Sequence, residues 1–172
     1  MPGNILKYAK YIANGPYPEP EVEGKNIFYA NLLLEDYAGM VSELTAINLY
    51  IFQHIVSEGK YGDFAELIGG IAMAEMKHLE LLGDTIKLLG VKPVYANSTC
   101  PFSKLWTAKY VNFTTVIKAM IAEAIRSEKK AINQYKGHII LIKDEFIKKL
   151  INRIIVDEEL HLKLLEEMYE KY

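Results

Sequence analysis

One cysteine, Cys100, stands in 172 residues. A lone thiol excludes an internal disulfide, a thiolate-bound zinc site and any iron site held by four thiolates. It sits in the loop-like run "NSTCPF", where an inert or partly buried thiol is expected rather than a nucleophile. No apolar run reaches the ~18 residues that a membrane span requires. The opening "MPGNILKYAK" lacks the apolar core of a secretion signal, so a soluble cytoplasmic protein with no membrane partner is expected. Charge of one sign is also lacking: the formal net charge is −2, which supplies no basic footprint for nucleic acid. Histidine is scarce, at four residues.

Two of those four histidines occur in near-copies of one phrase. "EMKHLELL" (75–82) and "EELHLKLL" (158–165) each place histidine three residues after glutamate in the same apolar frame. A second pair of phrases precedes them. "ELTAINLY" (43–50) and "EKKAINQY" (128–135) share Glu, then Ala, Ile, Asn and Tyr at the same offsets. The repeated unit is therefore a pair of helices, present twice.

The segment 1–25 contains "NGPYPEPEVEGK", dense in Pro, Gly and Glu, and reads as an extended N-terminal arm. Helical periodicity fills 26–172. A first helix is expected from about Asn26 to Ser57, stopping near Gly59. A second starts after Gly62, capped by Asp63, and stops near Gly90. The loop-like "VKPVYANSTCPFSKLW" follows, then a third helix from about Asn112 to Ile140 and a fourth from an Asp144 N-cap almost to Tyr172. Short turns make antiparallel neighbours, while the long connection between helices two and three permits a crossover. The fold class is all-α: a four-helix bundle with one long crossover.

Spacings of three, four and seven place Phe64, Ile68, Ile71, Glu75, His78, Leu82 and Leu89 on one face of the second helix. The same spacings align Ile147, Ile151, Ile154, Glu158, His161, Leu165 and Met168 in the fourth. Glu43 falls among Met40, Ile47 and Tyr50, and Glu128 among Ile121, Ile125, Ile132 and Tyr135. Six polar side chains thus face the interior. Four uncompensated carboxylates in an apolar core would each cost several kcal/mol or take up a proton. No Lys or Arg shares the central part of these stripes. Two divalent cations would balance four carboxylates, with neutral histidines adding nitrogen donors. One Glu from each of two helices plus Glu-x-x-His from each of the other two is the ligand set of di-iron and di-manganese carboxylate bundles. The alternative is a polar core network inherited from a metal-binding ancestor.

At these residues the chain resembles the ferritin-like superfamily, specifically its rubrerythrin and manganese-catalase relatives, over about Asn26 to Tyr172. The run "LLLEDYAGMVSELTAI" looks like the first helix of small bacterial manganese-catalase-like proteins. The resemblance implies metal ligands at Glu43, Glu75, His78, Glu128, Glu158 and His161, with Glu75 or Glu158 shifting between ligation and proton handling. In manganese catalases the glutamate matching Glu158 is suggested to lie beside the metals. Rubrerythrins proper carry a rubredoxin domain with four cysteines, which this chain lacks, and often an additional glutamate in the third helix. Glu123 lies five residues before Glu128, off its face. Cage-forming ferritins usually add a fifth helix, so a storage cage is not expected.

The resemblance implies an oxidoreductase that destroys hydrogen peroxide, by catalase-type disproportionation or as a peroxidase fed by an external electron donor. Ferroxidase activity on dioxygen, or a non-catalytic assembly or coat component, are the alternatives. Manganese and iron both suit carboxylate-rich sites, and the metal stays open. Tyr50 and Tyr135, one heptad beyond the solitary glutamates, are candidates to hydrogen-bond the opposite carboxylates. Asp36 and His54 are expected to be ordinary hydrogen-bonded residues of the bundle ends, and His138 a solvated one. The 1–25 arm and the 91–111 connection are candidates to wrap a second subunit in a homo-oligomer, at least a dimer.

Overall fold

The computed structural model describes residues 9–99 and 104–172, so Cys100 lies outside the described residues. Its helices are α1 (Ile27–Ala38), α2 (Glu43–Ser57), α3 (Gly62–Leu88), α4 (Ile117–Leu141) and α5 (Glu145–Lys171). Helices α1 and α2 together make the first rod of a four-rod bundle. Contacts at the rod ends establish direction. Asn26 N–H donates to Leu89 O, and Lys143 N–H to the Tyr29 hydroxyl, which brings the start of α1, the end of α3 and the α4–α5 turn together. At the other end Tyr172 donates to Asp63 at 2.5 Å, and Gln53 Nε2 to Met120 O at 3.0 Å. The rods therefore run up, down, down, up, and the 89–116 connection travels the length of the bundle. Among the described residues, no helix is long and apolar enough to cross a membrane.

The first rod is broken where an unbroken helix was expected. Gly39 ends α1, its N–H bonded to Glu35 O at 2.9 Å. Ser42 then caps α2, accepting from Thr45 N–H, while its hydroxyl and that of Thr45 both donate to Gly39 O. Trp106 from the crossover donates its indole N–H to Thr45 at 2.9 Å and seals the break. The interruption turns Met40 outward, 62 % exposed, although periodicity placed it on the inner stripe. A Cβ at Gly39 would lie 2.5 Å from Glu35 O. Gly39→Ala is therefore expected to lower stability by about 1–3 kcal/mol, the range for forced overpacking, measured by urea unfolding of the metal-free protein.

Two other helix starts differ from expectation. The cap position of α3 is Tyr61, with no side-chain cap bond, because the Asp63 carboxylate engages Lys171 and Tyr172. Helix α4 begins at Ile117 rather than near Asn112, since Asn112 accepts from Thr114 N–H and holds that stretch in a turn. Asp144 caps α5 as expected, accepting from Phe146 and Ile147 N–H.

Apolar side chains fill the bundle in two clusters. One contains Leu33, Leu34, Leu82, Ile86 and Ile151, the other Phe64, Ile68, Ile71, Met120 and Leu165. On α3 and α5 the Glu and His side chains of the inner stripes lie between residues of these two plugs, which leaves them a dry surrounding above and below.

Candidate metal centre

All six stripe residues are buried: Glu43, Glu75, Glu128 and Glu158 are at most 3 % exposed, and His78 and His161 fully enclosed. The break before Glu43 makes it the first residue of α2, aimed inward from the helix start. Glu75 and His78 sit one turn apart on α3, as do Glu158 and His161 on α5, so each pair presents its polar atoms to the same space.

These side chains form two overlapping groups. Glu43, Glu75, His78 and Glu158 have donor atoms within 4.8 Å of one another, as do Glu75, Glu128, Glu158 and His161. Glu75 and Glu158 belong to both. The histidines are related in the same way. His78 Nδ1 lies 2.8 Å from Glu75 Oε2 and 3.0 Å from Glu158 Oε1. His161 Nδ1 lies 3.0 Å from Glu75 Oε1 and 3.5 Å from Glu158 Oε2. The duplicated sequence has folded into a duplicated pair of donor sets.

The outward nitrogens decide what the inward ones offer. His161 Nε2 is 2.8 Å from the Tyr11 carbonyl, which can only accept, so Nε2 carries the hydrogen. His78 Nε2 is 3.0 Å from Asp157 Oδ2. Burial works against ionising Asp157, but hydrogen bonds from His78 and Tyr17 and the Arg153 guanidinium hold its carboxyl well below the usual range. Asp157 is thus an acceptor too. In their neutral forms both imidazoles present an Nδ1 lone pair to the centre, the state a metal requires.

Tyr50 on α2 donates to Glu128, and Tyr135 on α4 to Glu43. Burial pushes both phenols well above their ordinary range, so both remain donors. Even so, Glu75 Oε1, Glu158 Oε1 and His161 Nδ1 are buried without an aligned hydrogen bond, although Glu75 Oε1 lies 3.0 Å from His161 Nδ1 and Glu158 Oε1 3.0 Å from His78 Nδ1. Lone pairs converge there on one space. Carboxylate and imidazole donors of this kind suit manganese, iron or zinc, and the orphaned atoms are those that a pair of cations would satisfy.

Without cations the centre balances its charge with protons. Burial raises Glu43 well above the usual range and Glu128 to about 8. Burial also opposes charging the histidines, yet the surrounding carboxylates raise His78 and His161 well above theirs. Against the burial penalty Glu75 is held low by the His161 and His78 imidazoliums, and Glu158 by a hydrogen bond from the Glu128 carboxyl and by the same two imidazoliums. Two imidazoliums thus offset two carboxylates, and two neutral carboxyls complete the set.

A crevice reaches the centre from the side, lined by Asp36, Ser42, Glu43, Glu75, Glu128 and Glu158 among others. It offers ≈ 10 Å³, about the room of one water molecule. At its wall Asp36, 1 % exposed, accepts from Gln134 Nε2 and pairs with His138 Nδ1, each at 2.8 Å. His138 is therefore not a solvated residue: it turns in from α4 to meet the enclosed Asp36 of α1. His54 bonds the Ala65 carbonyl at 2.8 Å, an ordinary structural role. Glu123 lies outside, paired with Arg126.

Three partners of the centre were not among the candidates from sequence. Asp157 directly precedes Glu158 and lies off the three-, four- and seven-residue spacing that marks the inner stripe. Tyr17 lies in the proline-rich arm, where periodicity says nothing. The Tyr11 carbonyl is backbone and leaves no trace in residue identity.

Comparison with known proteins adds four findings. A "Probable manganese catalase" of Clostridium acetobutylicum is 28% identical over 188 residues, covering 97% of this chain and 80% of that one. KatB, a manganese catalase from Anabaena, shares the fold at a TM-score of 0.83 with 22% identity, covering 92% of this chain and 78% of that one. The bacterioferritin BfrA of Mycobacterium tuberculosis shares it at 0.72 with 24% identity, covering 86% of this chain and 87% of that one. The family model described as Rubrerythrin matches residues 37–169, from the last turn of α1 almost to the end of α5, and the chain belongs to the rubrerythrin family.

Proposed function

We propose that the protein is a di-metal oxidoreductase acting on hydrogen peroxide, by catalase-type disproportionation. The observation that carries this reading is the juxtaposition of two overlapping Glu/His donor groups with a side crevice of ≈ 10 Å³. A crevice with room for about one water favours a substrate as small as peroxide or dioxygen. The similarity to the Clostridium acetobutylicum protein, a probable manganese catalase, supports the same reading.

Glu43 and His78 would hold one manganese or iron ion, Glu128 and His161 the other, and Glu75 and Glu158 would span both. When bound, the metal pair would supply Lewis acidity and a reservoir for two electrons. The chain's own residues do the rest. Tyr50 and Tyr135 fix the orientation of Glu128 and Glu43. The two apolar clusters keep bulk water from the centre. Glu75 and Glu158 line the crevice, and one of the two, shifting off its metal, would take and return the peroxide protons.

The test is oxygen release from peroxide by protein loaded with manganese or with iron. Oxygen evolution from one form is expected. If neither evolves oxygen, the disproportionation reading is wrong, and an NADH-coupled assay with rubredoxin as external donor then addresses a peroxidase. Self-association into at least a dimer belongs to the same proposal, motivated by exposed Ile27, Phe28, Ile140 and Leu141. A sedimenting species of 19.6 kDa would remove it.

A further inference from the structure

We propose that the segment 9–17 is a working wall of the metal centre, with Tyr11 and Tyr17 as positioning residues that hold the two histidines. The inference rests on the di-metal reading above and concerns residues outside the four rods.

Seven contacts carry it. The Tyr11 carbonyl accepts from His161 Nε2 at 2.8 Å, and no side chain of the bundle is bonded to that nitrogen among the described residues. Tyr17 donates to Asp157 Oδ2 at 2.5 Å, and its hydroxyl lies 3.4 Å from His78 Nε2. Ala13 N–H donates to Asp157 Oδ1 at 2.7 Å. Arg153 bonds the carbonyls of Ala13 and Gly15 and stacks over the Tyr17 ring at 4.4 Å. Gly15, at φ 109°, turns the chain in the left-handed region so that Ala13 and Tyr17 both reach Asp157. One histidine is thus held directly by the segment and the other through Asp157.

Helix α3 is shaped for this segment. Gly70 lies inside a 27-residue helix, where glycine is the weakest ordinary former. A Cβ there would fall 1.9 Å from the Tyr11 ring, which is itself 4 % exposed. The missing side chain at Gly70 is the seat of Tyr11, and that seat places the carbonyl against His161. Neighbouring Gly69 faces the His54 ring instead. The pair therefore supplies its own control.

The experiment compares wild type with Gly70→Ala, Tyr17→Phe and Gly69→Ala. Manganese affinity is read by chelator competition, and the zinc-loaded histidine rings by proton–nitrogen NMR. Alanine favours helix, so Gly70→Ala should keep the helix content of wild type by circular dichroism. Its manganese dissociation constant should rise about 10–100-fold, the usual effect of losing a ligand's outer hydrogen bond. Tyr17→Phe, which removes one hydroxyl, should weaken binding about tenfold, and Gly69→Ala less than about twofold. The His161 Nε2 proton should exchange with solvent faster in Gly70→Ala and at the wild-type rate in Gly69→Ala. Wild type binding two manganese ions, with Gly70→Ala and Tyr17→Phe binding as tightly, overturns the assignment and leaves the di-metal reading intact. Equal losses in Gly69→Ala and Gly70→Ala overturn it as well, since they would report a general disturbance of α3. Wild type binding no manganese overturns both.

Discussion

Glu75→Gln is expected to empty the centre of both metal ions, whereas Glu43→Gln and Glu128→Gln should each lose one. The difference follows from membership. Glu75 belongs to both donor groups, while Glu43 and Glu128 belong to one each. Glutamine preserves volume and removes the charge, so the effect reads ligation and not packing. Loss of an outer hydrogen bond to a ligand typically costs 10–100-fold in affinity or activity. Losing a carboxylate shared by two ions should exceed that, with peroxide turnover falling at least ~100-fold. Folding provides the control. In metal-free protein the substitution removes one partner of a buried ion network with His78 and His161, and such a loss costs about 3–5 kcal/mol. Metal-free Glu75→Gln should therefore melt below metal-free wild type while keeping its helix content by circular dichroism, so that loss of both ions from a folded chain reads ligation. Metal content by elemental analysis and melting temperature together check the prediction. Two ions retained in Glu75→Gln would show that Glu75 does not span the sites.

The second large effect is a divergence between the metal-free and metal-loaded protein as pH changes. His78, His161, Glu43 and Glu128 all hold protons in the metal-free fold above their ordinary range. The folded state then binds more protons than the unfolded chain between roughly pH 5 and 8, so stability falls as pH rises there. Glu75 and Glu158 are held low and are ionised in both states across that window, so they do not reverse the slope. Metal binding has the opposite sign. Two dications replace the protons of two histidines and two carboxyls, and loading should release about four protons per chain near the lower end of the window. Affinity then rises about tenfold per pH unit for each proton released. Thermal melts across the window, with and without manganese, test both slopes. Calorimetry in buffers of different ionisation heat counts the protons. Parallel slopes for the two forms, or no proton release, would contradict this picture.

The inner faces of the rods were legible because burial in a bundle imposes a period that residues such as Ile68, Ile71, Leu82, Ile151 and Leu165 display directly. Polar residues on those faces stood out against that apolar background, which is why Glu75, His78, Glu158 and His161 could be singled out from sequence. The break at residues 39–42 was not legible in the same way. Asp36 and Glu43 keep a seven-residue spacing across it, and only Gly39 followed by Ser42 and Thr45 marks the interruption. Met40 was misplaced for that reason. His138 was misplaced because its partner Asp36 sits on another rod, and a pair across rods has no periodic signature. The partners from residues 11–17 were the hardest to see. A carbonyl acceptor depends on chain path alone, and Gly70 offers only the hint that a helix interior contains a residue that weakens it.

The central claim is that four carboxylates share one enclosed space because two cations hold them there. Elemental analysis of protein purified without added metal, with anomalous scattering from its crystals, tests this most directly. Two manganese or iron ions per chain are expected, each between Glu75 and Glu158, one beside Glu43 and His78 and the other beside Glu128 and His161. A protein with that space filled by water alone after incubation with manganese or iron, or with its ions bound elsewhere, would contradict it.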